Sequence, residues 1–293
     1  MSSFAVIGGP QSKKLAKNIA KRLGASYIPT NVKIFHDGES KITITIKKKF
    51  DNIIVVQSTY PPVDTSIIHA LSILSKAHEI SHNVYLVIPY VGYAKQDKEF
   101  LKGEIITIKV IAELFHSVKC SEIIMVDFHS SEALSFFHMP TKNISAVELL
   151  ADHVKKLNLS HPLIVSPDLF WKVHAKKFAN IIGSDSIALN KKRDRKSGEL
   201  SIISKKFQTG RKRDLVILDD MISTGNSVRE AIRFLGRNNF GKIIVACTHP
   251  VLVKNAEKML MKNGVSRIIG TNSIDGKFAK IDLSQIIVDA IKQ

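Results

Sequence analysis

Residues 216–227 read VILDDMISTGNS, and the rest of the chain is best understood outward from this stretch. The apolar run 215–218 predicts a buried strand, and two carboxylates, Asp219 and Asp220, close it. The polar residues that follow, 223–227, predict the first turn of a helix. We therefore expect a strand, an acidic tip and a helix N-terminus in immediate succession.

The predicted helix start has the composition of an anion site. Backbone N–H groups at a helix N-terminus, nearby hydroxyls and a glycine that permits close approach suit a phosphate monoester. The two acids suit the hydroxyls of a sugar. Carboxylates repel a phosphate, so sugar hydroxyls, an Mg²⁺ ion or both must lie between the acids and the phosphate. The stretch predicts a ribose 5-phosphate site, although a capped helix without a ligand is the alternative. The predicted contacts are Asp219, Asp220, Ser223, Thr224, Gly225, Asn226 and Ser227.

Length and charge limit the possible functions. At 293 residues the chain favours two domains, given roughly 100 to 200 residues per domain. Its net charge of +17 predicts an acidic partner, either a polyphosphate substrate or nucleic acid. Because the lysines are spread along the chain and no recognisable nucleic-acid-binding motif is present, we expect no nucleic acid partner.

The cysteines and the apolar runs indicate the compartment. Cys120 and Cys247 form no CxxC pair and no disulfide framework, which is typical of a reducing cytosol. The first residues lack the layout of a signal peptide, and no apolar run reaches about 18 residues. We expect a cytoplasmic protein without membrane contact.

Apolar strands alternate with amphipathic helices, which predicts an α/β fold with mainly parallel sheets flanked by helices. Residues 31–39 look like a loop, and residues 42–46 alternate as a half-buried strand. In such folds ligands gather at the carboxyl ends of strands. That rule selects the strand ends at 89–90, 127–129, 166–168 and 219–220.

A weak internal repeat predicts two similar domains. VIPY at 87–90 parallels VSPD at 165–168, and IMVDFHSS at 124–131 parallels VILDDMIST at 216–224. The spacing differs between the halves, which predicts an inserted charged hairpin around residues 191–200. We place the domains at 1–145 and 146–293.

The stretch 216–227 resembles the phosphoribosyl pyrophosphate (PRPP) signature of the type I phosphoribosyltransferase superfamily. In the PRPP synthetase branch this signature usually reads D-D-x-x-x-T-G-G-T, from which Asn226 and Ser227 depart. The resemblance implies that both domains have the phosphoribosyltransferase-like fold, with the PRPP loop in the second.

Two further segments resemble elements of the same family that bind ATP. YVGYAKQD at 90–97 is similar to Y-x-G-Y-A-R-Q-D, with Lys95 in place of arginine, and FHDGE at 35–39 is similar to F-x-D-G-E. In the family the second element reaches a neighbouring subunit, which implies a homo-oligomer with shared active sites. A simple turn with a core phenylalanine is the alternative for 35–39. The implied ATP contacts are Phe35, Asp37, Glu39, Lys95, Gln96 and Asp97.

The resemblance also implies a metal site and a catalytic loop. His129 and Asp168 match family residues that bind Mg²⁺ with the nucleotide phosphates, although a histidine or an acid at a strand end is also common as a structural residue. The family usually has glycines after Asp168, and residues 169–171, LFW, predict a differently shaped pocket. Lys191 and Arg193 match the K-x-R of a loop that closes over the triphosphate, although a charged run is also typical of an exposed hairpin tip.

The implied reaction transfers the pyrophosphoryl group of ATP to the anomeric hydroxyl of ribose 5-phosphate. Three alternatives share part of this pattern: a phosphoribosyltransferase, a catalytically silent regulatory relative and a PRPP-sensing nucleic-acid binder. The first would not need the segments at 35–39 and 191–193. The second would be expected to lose His129, Lys191 or Arg193, and the third should carry a DNA-binding module.

Overall fold

The apolar runs of the sequence form parallel strands in a computed structural model of the chain. The structure describes residues 3–46, 48–193, 200–202 and 212–293, with the backbone alone described at 191–193, 200–201 and 238. The elements in chain order are β1 (Phe4–Gly8), α1 (Lys13–Leu23), β2 (Ser26–Ile34), β3 (Ser40–Ile44), β4 (Asn52–Val56), α2 (Val63–His78), β5 (Asn83–Ile88), α3 (Thr107–Ser117), β6 (Glu122–Val126), β7 (Thr141–Ile144), α4 (Val147–Lys155), β8 (Leu163–Ser166), α5 (Lys172–Ile182), β9 (Asp185–Ala188), β10 (Lys191–Arg193), β11 (Leu200–Ile202), β12 (Arg213–Met221), α6 (Asn226–Leu235), β13 (Phe240–His249), α7 (Ala256–Lys262), β14 (Arg267–Thr271), β15 (Ala279–Ile281) and α8 (Ser284–Lys292).

The chain divides into two compact units. The first unit contains Met1–Ser145, Asn272–Asp275 and Asp282–Gln293, and the second contains Ala146–Thr271 and Gly276–Ile281. Both are α/β units with mainly parallel sheets flanked by helices, as the alternation of strands and helices predicts.

The sheet of the first unit has the order β3-β2-β1-β4-β5-β6-β7. All neighbouring strands run parallel except β3, which pairs antiparallel with β2. Every residue of β4 is buried, as expected for a central strand covered on both faces. Phe115 of α3 is also fully buried, unlike the other phenylalanines of this core, which keep a small exposed fraction.

The sheet of the second unit has the order β15-β14-β13-β12-β8-β9, with all neighbours parallel. Strands β10 and β11 form a separate antiparallel pair with Lys191 opposite Ile202. This pair corresponds to the hairpin predicted around residues 191–200, and residues 194–199 lie outside the described residues.

The two sheets share one strand order, but the repeat in the sequence is wrong about which strands correspond. The first sheet contains the run β2-β1-β4-β5-β6-β7, and the second sheet taken in reverse reads β9-β8-β12-β13-β14-β15. Position by position, β5 therefore corresponds to β13 and β6 to β14. The sequence repeat paired β5 with β8 and β6 with β12. Strands buried on both faces all appear as apolar runs followed by a polar turn, so short strings match between non-equivalent strands.

Two other boundaries differ from the predicted ones. Residues 31–34, expected in a loop, belong to β2, because their backbone pairs with β3 from Asn31–Thr43 to Ile34–Ser40. The predicted second domain, 146–293, included α8, which the structure assigns to the first unit. Helix α8 packs on α1, where Arg22 Nε donates a hydrogen bond of 2.6 Å to Ser284 Oγ.

Within the described residues, no helix combines the length and the apolar character that crossing a membrane requires.

Asp282 fixes the start of α8 and gives this part of the fold a pH dependence. Its carboxylate accepts hydrogen bonds from Asn272 Nδ2 at 2.7 Å and from Ser284 N at 3.1 Å. Burial alone would raise the pKa of Asp282, but these bonds and the Ser284 hydroxyl outweigh burial and lower the pKa from its ordinary 3.8. A carboxyl group with a lowered folded-state pKa stabilises the protein above its unfolded-state pKa. That stability is lost as the pH falls through the folded-state value.

We therefore predict that Asp282→Asn lowers the free energy of unfolding at pH 7 by about 1 kcal/mol, a modest loss because solvent screens this partly exposed group. Urea titrations of both proteins between pH 7 and pH 2 should show the difference shrinking below the unfolded-state pKa. Asp289→Asn, an exposed carboxylate on the same helix, is the matched control. A difference that stays constant to the lowest pH would contradict the role of Asp282.

Candidate active site

The polar groups of the second unit meet at the carboxyl edge of its sheet. Ile217 of β12 lies opposite Val165 of the parallel neighbour β8. The residues that follow these positions, Asp219 and Asp220 on β12 and Asp168 after β8, therefore emerge at the same edge on adjacent strands. This is where a parallel sheet presents its ligand-binding groups.

The acid pair lies inside the strand and not after it, because β12 continues to Met221. Asp219 is 7% exposed and Asp220 is 2% exposed. Asp219 Oδ1 accepts the N–H of Asp220 at 3.1 Å, and Asp220 Oδ1 accepts the N–H of Met221 at 2.7 Å. Two buried carboxylates held by their own backbone are thus oriented before any ligand arrives.

The acid pair also affects a neighbouring thiol. Complete burial, followed by the negative charges of Asp219 and Asp220, raises the pKa of Cys247 well above its ordinary value. Burial likewise raises the pKa of Cys120 to about 11. Both cysteines are free and buried, so neither has the thiolate character that a nucleophile needs.

Gly225 lets the chain turn from β12 into α6. Its φ of 78° lies in the left-handed region, and a Cβ there would come within 2.9 Å of Met259 Cε and 3.1 Å of Leu260 Cγ. Helix α6 begins at the next residue, and in the described part of the chain no side chain caps its N-terminus. The first N–H groups of a helix have no acceptor within the helix. The turn therefore presents backbone donors beside the exposed side chains of Thr224 and Asn226.

A second loop, which the sequence did not point to, supports this turn. The carbonyl of His249, at the end of β13, accepts the N–H of Ile222 at 3.1 Å. Leu252 N then donates to Ile222 O at 2.7 Å, and Val253 N donates to Ser223 O at 3.2 Å. Leu252 has a φ of 43°, which is rare for a side chain of this kind. Hydrogen bonds between backbone groups do not require particular side chains, so no sequence pattern predicts them. Pro250, which follows an apolar strand, was the only residue that indicated a turn here.

Asp168 closes the turn between β8 and α5. Its Oδ1 accepts the backbone N–H groups of Phe170 at 3.1 Å and Trp171 at 3.4 Å. Trp171 is 2% exposed and stacks on His174 with ring centroids 4.5 Å apart. Leu169 and Phe170 are about half exposed. Of the three bulky residues at this turn, one packs into the core and two face solvent.

In the first unit, His129 follows β6 in a turn with defined backbone contacts. Asp127 is buried with a φ of 39°, and its N–H donates to Ile144 O at 2.8 Å. The N–H of Phe128 donates to Asn143 Oδ1 at 2.9 Å, and His129 is partly exposed. Two anchored residues thus fix the backbone immediately before His129.

The segment 95–97 follows β5, the neighbour of β6, and so emerges at the same edge of the first sheet. Gln96 Oε1 accepts a hydrogen bond of 2.7 Å from Thr107 Oγ1, at the start of α3. Lys95 is exposed and Asp97 is partly exposed. One of the three predicted nucleotide contacts is therefore engaged within the protein, through its side-chain carbonyl.

The hairpin between β2 and β3 carries the other predicted nucleotide contacts. Phe35 N donates to Glu39 O at 2.8 Å, and Glu39 N donates to Asp37 Oδ1 at 3.0 Å. Phe35 is 40% exposed and lies under Lys33 Nζ, 5.2 Å from the ring centroid, so it is not a core residue. Strands β1 and β4 separate β2 from β5, which places the hairpin about 14 Å along the sheet from 95–97 at the usual strand spacing.

The remaining predicted residues, Lys191 and Arg193, lie on β10, where the structure describes the backbone alone. Among the described residues, no group of three or more His, Cys, Asp or Glu side chains is arranged to hold a metal ion. Mg²⁺ is usually bound by one or two carboxylates together with waters and substrate phosphates. The isolated strand-end acids fit an ion of this kind better than one enclosed by protein ligands.

Comparison with known proteins gives consistent results for both halves of the chain. The profile of the N-terminal domain of ribose phosphate pyrophosphokinase matches residues 4–118, and that of the phosphoribosyl transferase domain matches residues 146–281. A crystal structure of phosphoribosylpyrophosphate synthetase from Mycobacterium smegmatis aligns with a TM-score of 0.84 at 22% identity, covering 99% of this chain and 98% of that one. This structural likeness confirms the expected fold.

Sequence relatives extend the result from fold to family. The ribose-phosphate pyrophosphokinase of Methanothermobacter thermautotrophicus is 31% identical over 98% of this chain and 99% of its own length. That of Methanosarcina mazei is 32% identical over 98% of this chain and 94% of its own length. The chain therefore belongs to the ribose-phosphate pyrophosphokinase family of enzymes.

Proposed function

We propose that this chain makes PRPP and AMP from ribose 5-phosphate and ATP, and that ribose 5-phosphate binds at the carboxyl edge of the second sheet. The observation that carries the assignment is the buried pair Asp219 and Asp220 directly before the open N-terminus of α6. Carboxylates accept hydrogen bonds from sugar hydroxyls, and the helix N-terminus attracts a phosphate. Few residues separate Asp220 from Asn226, the first residue of α6. One small sugar phosphate can therefore contact both the acid pair and the helix N-terminus.

Each part of this site has a role. The hydroxyls of Ser223, Thr224 and Ser227, the amide of Asn226 and the N–H groups around Gly225 receive the 5-phosphate. Asp219 and Asp220 orient the ribose. Because the acids are buried and bonded to their own backbone, little ordering is needed when the sugar binds.

ATP is proposed to contact the first unit at Lys95, Gln96 and Asp97, and a neighbouring subunit at Phe35, Asp37 and Glu39. The exposed Phe35 ring and the separation of its hairpin from 95–97 favour this division. An aromatic face in solvent is available to stack on an adenine base, and Asp37 and Glu39 are acceptors for its amino group. The assembly is accordingly a homo-oligomer in which subunits share active sites.

His129 and Asp168 are the residues proposed to hold Mg²⁺. When bound, the ion offsets negative charge on the triphosphate. Asp168 is held in place for this role by the N–H groups of Phe170 and Trp171.

The reaction forms a bond between the anomeric oxygen of ribose 5-phosphate and the β-phosphorus of ATP. The bond from that phosphorus to the oxygen bridging the α-phosphate breaks, AMP leaves, and the hydroxyl loses its proton. Lys191 and Arg193 are proposed to stabilise the charge that spreads over the phosphoryl oxygens. Among the described side chains none stands out as a general base, and positioning and electrostatics are proposed to carry the catalysis.

The products test the reaction. Purified protein incubated with ATP, Mg²⁺ and ribose 5-phosphate should release AMP and PRPP in equal amounts, measured by anion-exchange chromatography. Omission of ribose 5-phosphate is the control and should leave ATP intact. ADP as the main nucleotide product would mean single-phosphate transfer and would contradict the proposal.

Lys191→Ala should reduce kcat by about 10²-fold or more, because a fixed cation acts mainly on the charge that develops in the transition state. Binding of ribose 5-phosphate, measured by calorimetry, should change little. Lys192→Ala removes the same charge from the same strand and is the matched control. Equal losses of kcat in the two variants would remove Lys191 from the catalytic residues.

Gly225→Ala should raise the KM for ribose 5-phosphate about tenfold or more, because the new methyl group would strain the left-handed turn and press against α7. Gly183→Ala is the matched control, since Gly183 has a φ of 72° with nothing within 4 Å of an added Cβ. The control should lose some stability and keep its KM. If both variants show the same KM, the Gly225 turn does not position the phosphate.

A further inference from the structure

A cleft of about 600 Å³ lies on the second unit, where α6 and the end of α7 meet. We call it the basic cleft, after the four cationic side chains that line it together with Glu230, Ile232, Asn263 and Gly264. Those four cationic residues are Arg229, Arg233, Arg237 and Lys262.

The basic cleft has more positive charge than its own acid can neutralise. Glu230 forms a salt bridge of 3.2 Å with Arg229 and a longer one of 3.9 Å with Arg233. In the part of the chain that the structure describes, neither Arg237 nor Lys262 has a salt-bridge partner. Four cations facing one carboxylate leave a surplus that suits a multiply charged anion.

Gly264 gives Arg237 its place in the cleft. An added Cβ at Gly264 would overlap the Arg237 side chain, so the absence of a side chain at 264 is what lets Arg237 lie across this residue. Gly264 has a φ of 91° and ends the turn after α7. The arginine therefore rests against a surface shaped for it, which reduces the conformational freedom it would lose on binding an anion.

The far end of the basic cleft is separate from the proposed sugar-phosphate site. Asn226 begins α6 and Leu235 ends it. At 1.5 Å per residue these two positions are about 14 Å apart along the helix axis. Arg237 follows this far end of α6, and neither Arg237 nor Lys262 is among the proposed contacts of the sugar phosphate.

We propose that the basic cleft binds a small polyphosphate through its phosphate groups alone. Guanidinium groups bind phosphate oxygens in pairs, and the volume of the cleft is within the range of small-molecule sites. None of its described lining residues is aromatic, so it offers no surface on which a nucleotide base or an RNA strand could stack.

Calorimetric titration with sodium tripolyphosphate tests the proposal, using the wild type, Arg237→Ala/Lys262→Ala and Lys258→Ala. Lys258 is an exposed lysine of α7 outside the cleft and is the matched control. The wild type and the control should each bind one more tripolyphosphate per chain than the double variant. Charge-assisted bonds lost at two positions should weaken that site at least about tenfold. PRPP synthesis at the wild-type rate verifies that each variant is folded, and the single variants Arg237→Gln and Lys262→Gln replace the double variant if it is not.

Two competitors define the ligand. ATP should compete for the cleft site with an affinity within about threefold of tripolyphosphate, because no group there recognises the base. Identical binding in all three proteins would overturn the proposal. A tenfold preference for ATP would contradict recognition by phosphates alone. If a short RNA displaced tripolyphosphate at a total phosphate concentration below that of the tripolyphosphate, the surface would be assigned to nucleic acid.

Discussion

The burial of β12 along nearly its whole length is the constraint on which the second unit depends. All residues of this strand except the first are buried, and its backbone is paired on both sides, by β8 and β13. A strand in this position can carry polar side chains only near its ends, where partners can satisfy them. Asp214, near the amino end, accepts the N–H groups of Ser160 and Lys242, whereas Asp219 and Asp220 occupy the carboxyl end.

The same constraint explains why the turn after the acids is built from backbone contacts. The chain must leave a central strand, reverse and start α6 without exposing buried peptide groups to an apolar surrounding. His249 O, Leu252 N and Val253 N satisfy the backbone of Ile222 and Ser223 from the next strand connection. Gly225 then passes against Leu260 of α7. A turn held by these contacts suits the proposed phosphate site, because its donors do not have to be ordered again in each cycle.

Much of the fold was predictable because it depends on local patterns. The alternation of apolar strands and amphipathic helices predicts both units, and both have mainly parallel sheets flanked by helices. The strand correspondence between the units was not predictable, since every strand buried on both faces has nearly the same pattern. The position of α8 was also hidden, because its attachment to Arg22 joins residues 262 positions apart in the chain.

The sequence by itself determined the chemistry: an acid pair, a Ser-Thr-Gly turn and the family motifs are local, and they name a sugar phosphate and a nucleotide. Tertiary structure decided how those groups are presented. The Asp168 carboxylate accepts a backbone hydrogen bond within its own turn, and Gln96 is bonded to Thr107. Phe35 stays exposed, with Lys33 over its ring. Tertiary structure also assembled the basic cleft from two arginines of α6, a third arginine just after that helix and a lysine of α7, which no motif links. Local patterns record which groups a chain carries, whereas contacts between distant residues determine which of those groups remain available to a ligand.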